Sequence, residues 1–366
     1  MNADTRFIRQ IQKTVNDKEF QREHVRNSEK DFIRTRKLTF SDVILYTIGN
    51  TRNPVALEAE RFTKYISAEK ISGAALCKAR KKVKYTAFKE LFEQTAVISP
   101  RNKCFHGYHL YAVDGMKGEL PKTPELTEKY RTSERCDTPM FHAVSTFDVL
   151  NEVFINSIFH FGAADERKLA CEMIELISTN PDYSEDPQIW IFDRGFPSLI
   201  LLQKLFEHKL NFVMRVSASF LKEVNEFRKS KYVDREIHVN YTKQRIHNNH
   251  AKLDGVFEFD IRCVRIKLSS GEDEILVTNL DRKKFPKRDI KEIYRLRWGI
   301  ETSFNYLKHA VFVEEFVSKS ENGLAQDYYV SLLMYNFSTC VCGSMYQDIP
   351  KKENINTRST EEQPLN

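Results

Sequence analysis

Tyr294, Arg297, Glu301 and Lys308 are spaced at offsets of 0, 3, 7 and 14 along one uninterrupted stretch. On a helix turning about 100° per residue they fall within an arc of roughly 60°. The stretch reads as such a helix. No Pro interrupts Arg288 to Ala310, and apolar residues recur at 293, 296, 300, 304, 307 and 311 as one buried stripe. The polar four lie beside that stripe and not opposite it. A lone acid with two bases and a phenol suits a carboxylate that holds a cation while its neighbours hold phosphates. Two further acids follow strand-like runs: Asp114 after Tyr108–Val113, and Asp193 after the apolar Pro187–Phe192. Three such carboxylates suit hard divalent cations, which take oxygen ligands. Two ions of that kind can activate a water or a 3′ hydroxyl and stabilise the leaving oxygen of an in-line phosphoryl displacement. Each residue alone has a plainer reading. Charged helix faces are usually solvated, and Asp before Gly usually starts a turn.

The elements that must position these residues can be taken in chain order. Residues 1–100 read as short helices. Phe7, Ile8, Ile11 and Val15 have helical spacing, Thr39 to Asp42 offers N-cap residues, and Leu57 to Tyr65 is a second helix. Gly73 to Lys84 is a further helix carrying Lys78, Arg80, Lys81, Lys82 and Lys84. That basic cluster suits a helix-turn-helix-like DNA-binding unit; the plainer alternative is a helical cap with a solvated basic face. After Asp114, residues 117–139 read as loop. Phe141 to Val149 and Glu152 to Phe161 read as strands, Glu166 to Ser178 and Leu199 to His208 as helices, and Asn211 to Val216 as a strand, a mixed α/β pattern. Residues 217–283 hold strand-like runs at Ile237–Tyr241, Gly255–Asp260, Ile261–Leu268 and Glu274–Asn279, too patterned for an ordinary loop. A short strand or loop at Val311 to Phe316 and a long uncharged helix, Tyr328 to Gln347, follow. A mixed α/β unit thus covers 101–216 and 284–345, a β-rich insertion 217–283, and a disordered tail 346–366.

Composition sets the bounds. With 366 residues, 41% hydrophobic and 30% charged, the chain has a globular balance. The first hundred residues carry 20 Lys and Arg against 12 Asp and Glu, more than the whole chain's net +6, so this region is expected to meet something anionic. The first twenty residues contain Arg6, Arg9, Lys13 and Lys18 and no apolar h-region, which excludes a signal peptide as the expectation. Seven cysteines without CxxC spacing point to reduced thiols in a cytoplasm, with Cys340 and Cys342 read as buried helix residues. The polar Ser331, Asn336, Ser338 and Thr339 argue against a membrane span in the uncharged helix.

On Val113-Asp114-Gly115, Phe192-Asp193-Arg194-Gly195-Phe196 and the signature Y-x2-R-x3-E-x6-K at Tyr294, Arg297, Glu301 and Lys308, the chain resembles a transposase of the insertion-sequence-4 family. That family lies within the DDE transposases, whose catalytic core is ribonuclease-H-like. Thr278-Asn279-Leu280 also resembles the segment that closes the family's β insertion, and the likeness covers roughly residues 40–345. The resemblance implies a polynucleotidyl transferase and endonuclease that cuts transposon ends and transfers strands into target DNA. It implies Asp114, Asp193 and Glu301 as the metal-binding triad for Mg²⁺ or Mn²⁺, two ions in all. Tyr294, Arg297 and Lys308, with Trp298 beside them, would grip the strands. The partners implied are terminal inverted repeats and target DNA, with a dimer in the active complex, in the cytoplasm of a prokaryote at its nucleoid. Relatives that cut through a hairpin can use a Trp from the insertion. Trp190 and Trp298 both lie outside it, leaving Phe257, Phe259 or Tyr241 as substitutes. The alternatives are a host nuclease or resolvase on the same fold, or a catalytically silent DNA-binding derivative.

Overall fold

The computed structural model describes residues 3–34, 37–50, 53–66, 71–133, 136–217, 219–241, 257–267, 272–309 and 316–347. The described chain opens with helices α1 (Ala3–Val15), α2 (Lys18–His24), α3 (Phe40–Ile48), α4 (Val55–Tyr65), α5 (Gly73–Arg80) and α6 (Thr86–Ile98). Then come β1 (His109–Glu119), α7 (Pro124–Tyr130), β2 (Arg131–Ser133), β3 (Cys136–Asp148), β4 (Val153–Phe161), α8 (Glu166–Ser178), α9 (Pro181–Ser184), β5 (Gln188–Phe192), α10 (Leu199–Glu207) and β6 (Asn211–Arg215). The remainder is α11 (Lys222–Lys229), β7 (Asp234–Tyr241), β8 (Phe257–Lys267), β9 (Asp273–Thr278), α12 (Lys287–Leu296), α13 (Trp298–His309) and α14 (Glu321–Gln347).

All these strands form one sheet in the order β2-β3-β1-β5-β6-β9-β8-β7, with β4 also on β3. β5 pairs parallel with β1 and with β6, while β3 and β9 are antiparallel to their neighbours β1 and β6. The strands of 217–283 therefore extend the core sheet through β9. The central strands are apolar on both faces because both faces are covered. On one face Leu110, Ala112, Ile189, Ile191 and Val213 pack with Ile293, Ile300, Phe304 and Leu307 of α12 and α13 and Leu332 of α14. On the other, Tyr111, Val113, Trp190, Phe192 and Phe212 pack with Ile174 of α8 and Leu201 of α10.

Several expectations need correcting. β1 does not end at Asp114. Its partner β3 supplies ladder bonds out to Glu119↔Met140, so the strand continues where the sequence suggested a turn. The expected loop 117–139 accordingly holds the end of β1, all of α7 and β2, and the start of β3. The long helix Arg288–Ala310 is two helices, α12 and α13, broken at Arg297. There the N–H groups of Arg297 and Ile300 donate to carbonyls three residues back, at 3.2 and 3.1 Å, tightening the turn. Cys340 is buried, but Cys342 is exposed on the last turns of α14. The expected strand or loop beginning at Val311 and the tail beyond 347 lie outside the described residues.

The N-terminal helices do not stand apart. Phe7, Ile11 and Val15 of α1 and Phe88 and Leu91 of α6 belong to the same cluster as the sheet face under α13. A capping box between Thr39 and Asp42 starts α3. The basic run is less of a unit than its spacing suggests. α5 stops at Arg80, so Lys81, Lys82 and Lys84 lie in the following turn. Arg80 is buried and bonded to Gln326, the Gly323 carbonyl and Asp327 (2.5 Å), so it fastens α5 to α14 and is not on a DNA-facing surface. Lys82 pairs with Asp31 at 3.0 Å. Lys78, Lys81 and Lys84 are exposed.

Candidate active site

Val113 of β1 and Phe192 of β5 are register partners in the parallel pair, so the residues that follow them, Asp114 and Asp193, sit level at the end of that pairing. Side chains alternate faces along a strand. Asp114 therefore shares its face with Ala112 and Met116, and Asp193 shares its face with Ile191, which is the face covered by α12 and α13. α13 buries Ile300, Phe304 and Leu307 against that face, with the Phe304 ring stacked on Phe154 at 5.8 Å, and so brings Glu301 over the same edge. The crevice beyond the carboxyl ends of parallel strands is where ligands bind in open α/β sheets.

Arg297 stands in the middle. Its guanidinium lies 2.6 Å from Glu301 and 3.7 Å from Asp114, with the side chain only 4% exposed. Its Nε and Nη1 have no hydrogen-bond partner among the described residues. The Tyr294 hydroxyl donates to Asp193 at 2.8 Å. Arg215, at the end of β6, reaches Asp193 at 3.9 Å and Glu274 at 2.6 Å. Lys308 lies farther along α13, where its ammonium donates to the Lys117 carbonyl at 3.4 Å. Trp298, next to Arg297, is 62% exposed. Phe259, a candidate aromatic from 217–283, is instead a core residue, and the side chains of Phe257 and Tyr241 are not among those described.

The two aspartates have different electrostatic settings. Burial pushes the Asp114 carboxyl up to about 6, with Glu301 and Asp193 adding to the rise and the Gly115 N–H and Arg297 opposing it. Burial acts on Asp193 in the same sense but is outweighed. The Arg194 N–H, the Tyr294 hydroxyl, Arg297 and Arg215 together hold its carboxyl below the usual value. An acid whose folded pKa exceeds its unfolded value takes up protons on folding, so stability falls as pH rises through the window between them. Without metal, Asp114 is therefore expected to contribute a downward slope worth at most about 3 kcal/mol between about pH 4 and pH 6. Asp114→Asn should flatten that slope in thermal melts; an unchanged slope would dismiss Asp114 as its source.

Donor chemistry fits hard divalent cations: the three carboxylates supply oxygen ligands, and the cation already among them is poorly satisfied by hydrogen bonds. As placed, no three acid, His or Cys side chains among the described residues converge on a point that could ligate an ion. Arg297 takes up the space between Asp114 and Glu301. In this arrangement the partners of the buried Arg297 are the acids. Arg215 and Glu274 were missed. The available signal was a lone Arg ending the otherwise apolar run Phe212–Met214.

Residues 94–337 match the family described as "Transposase DDE domain". A curated relative, "Putative transposase InsZ" of Escherichia coli (strain K12), is 27% identical over 194 residues, covering 49% of this chain and 61% of the relative. The chain thus spans less than two thirds of that relative's length. Among solved structures, a piggyBac transposase synaptic complex with hairpin DNA superposes with a TM-score of 0.51 at 11% identity, over 92% of this chain and 75% of that one. At that identity the likeness shows the fold, a ribonuclease-H-like mixed α/β core. The NurA nuclease of Sulfolobus solfataricus, at TM-score 0.28 and 10% identity over 72% of this chain and 92% of that one, is too distant to bear on the argument. No helix among the described residues is long and apolar enough to cross a membrane.

Proposed function

The chain belongs to the transposase DDE domain family, and from that premise we propose that it cuts DNA at the ends of an insertion sequence and joins the freed 3′ ends to a target. The spacing of Tyr294, Arg297, Glu301 and Lys308 supports placement in the insertion-sequence-4 branch. The observation that carries the reading is the gathering of Asp114 and Glu301 around Arg297, with Asp193 held level beside them by Tyr294. These three acids would hold divalent ions, Mg²⁺ or Mn²⁺ and two in number. When bound, such ions activate the attacking oxygen and stabilise the leaving one.

The residues divide the remaining work. Tyr294 and Arg215 keep Asp193 ionised and oriented. Arg297 neutralises the acids and is the nearest cation to any phosphate that approaches them. Lys308 and the exposed Trp298 flank the edge where the DNA strand would lie. In cleavage a water oxygen attacks phosphorus and the 3′ oxygen leaves as a hydroxyl; in transfer that 3′ hydroxyl attacks a target phosphodiester, whose own 3′ oxygen leaves. We place the reaction on terminal inverted repeats, in a dimeric complex at a prokaryotic nucleoid. The test incubates the protein with labelled duplex spanning either boundary of its element and Mg²⁺, Mn²⁺ or Ca²⁺. Nicks at the boundary, followed by joined products, are expected with the first two ions. Nicking without joining would favour a nuclease, and no metal-dependent nick at all would overturn the proposal.

The N-terminal bases give a separate expectation. Neutralising Lys78, Lys81 and Lys84 together should lower the salt slope of end binding by about 2–3, one phosphate per lysine. Arg80→Ala should leave the slope alone and destabilise the fold by about 3 kcal/mol, because it strands the Asp327 charge at a buried pair. Anisotropy titrations across a salt series and urea melts separate the two; a slope that follows Arg80 and ignores the lysines would reverse the assignment.

A further inference from the structure

One strand over from Asp193, the same sheet edge opens into a cleft of about 360 Å³. It is lined by Arg194 from the turn after β5, Arg215 and Val216 from the end of β6, Arg228 from α11, and Glu272, Asp273, Glu274 and Ile275 at the start of β9, three bases facing three acids. Neighbouring strands are about 4.8 Å apart, so the cleft is continuous with the acid site but separate from it. Its charges are not equivalent. Glu274 is paired with Arg215 at 2.6 Å, and one oxygen of Asp273 with Arg265 at 2.8 Å, the other being buried without a hydrogen-bond partner among the described residues. Among the described residues, Arg194 and Arg228 have no side-chain ion-pair partner.

The backbone that carries Arg228 is held in place from behind. Arg265 donates to the carbonyls of Phe227, Arg228 and Ser230 and covers the Phe227 ring, fixing the last turn of α11. The Arg228 Nε is nevertheless buried without a hydrogen-bond partner. Two guanidinium groups without an ion-pair partner among the described residues, Arg194 and Arg228, thus line one cleft, an arrangement suited to an incoming anion with several oxygens. Guanidinium forks match phosphate oxygens in geometry as well as charge.

We propose that this cleft seats a backbone phosphate of the DNA strand that runs from the acids across the end of β6. Arg194 and Arg228 bind the phosphate, and Arg215 serves as the wall that keeps Asp193 in position. The proposal rests on the DNA-cutting function above and adds a second anchoring point, beside the phosphate that is cut.

The test uses Arg194→Ala, Arg228→Ala, the double variant and Arg228→Lys in the full chain. Anisotropy with labelled boundary duplex between about 50 and 200 mM salt should show the slope falling by about 0.9 for each phosphate that is no longer neutralised. The double variant should bind roughly tenfold or more weakly, and Arg228→Lys should keep most of the slope because the charge remains. Wild-type cleavage with unchanged slope and affinity in all variants overturns the cleft and leaves the enzyme reading standing. A lowered slope with no cleavage by the wild type keeps the cleft as a nucleic-acid site and removes the enzyme reading. If the wild type binds no DNA, both fall.

Discussion

Asp114→Ala, Asp193→Ala and Glu301→Ala should each reduce metal-dependent end cleavage by about 10³-fold or more. A divalent ion contributes several kcal/mol of transition-state stabilisation, and each 1.36 kcal/mol is a factor of ten. Each acid comes from a different element and none can cover for another. Asp114 lies on β1, Asp193 follows β5, and Glu301 is on α13. Binding to end DNA should be largely kept, because Lys78, Lys81 and Lys84 lie elsewhere on the surface. Mn²⁺ should support the wild type and Ca²⁺ should serve it poorly, since the looser and larger coordination of Ca²⁺ suits in-line transfer less well. The assay pairs single-turnover cleavage with a gel shift on the same duplex. Robust cleavage by Glu301→Ala would remove α13 from the active site and with it the reading of the whole chain.

Much of that site was legible because its determinants are local. An apolar strand followed by Asp can be read from six residues, and the α12–α13 polar set follows from helical spacing alone. What the spacing could not give was the consequence of bringing distant segments together. β1 runs past Asp114 because β3, some thirty residues later, supplies its ladder. Arg80 looked like one of five equivalent bases. It is buried because Asp327, 247 residues away, meets it on α14. The helix break at Arg297 has the same origin. Periodicity predicts a continuous helix, but the buried guanidinium is drawn toward two acids while the adjacent indole of Trp298 stays in solvent. Arg215 carries only a faint local signal, a base ending an apolar run; the β5–β6 and β6–β9 pairings are what place it against Asp193 and Glu274.

Arg297→Ala is the variant in which these effects pull in opposite directions. The guanidinium is the cation between Asp114 and Glu301 in the metal-free protein. Removing it leaves two close carboxylates uncompensated. Truncating one member of a buried pair costs about 3–5 kcal/mol; with Glu301 roughly a third exposed, solvent screening reduces the expected loss to about 2 kcal/mol. The same change opens the seat that a divalent ion would take. Mn²⁺ should therefore bind Arg297→Ala about tenfold more tightly than wild type without DNA, and restore about 2–3 kcal/mol once its concentration is near 100 Kd. Cleavage should nonetheless fall, because a displaced Arg297 is the cation best placed to meet the scissile phosphate, an interaction that Ala cannot make. Arg297→Lys should recover the metal-free stability but not the rate, since an ammonium keeps the charge and loses the fork. Calorimetric Mn²⁺ titration, melts with and without Mn²⁺, and single-turnover cleavage read the three effects separately. Mn²⁺ affinity that is unchanged or weaker in Arg297→Ala would show that the guanidinium does not occupy the metal seat, and Arg297 would then serve the DNA strand alone.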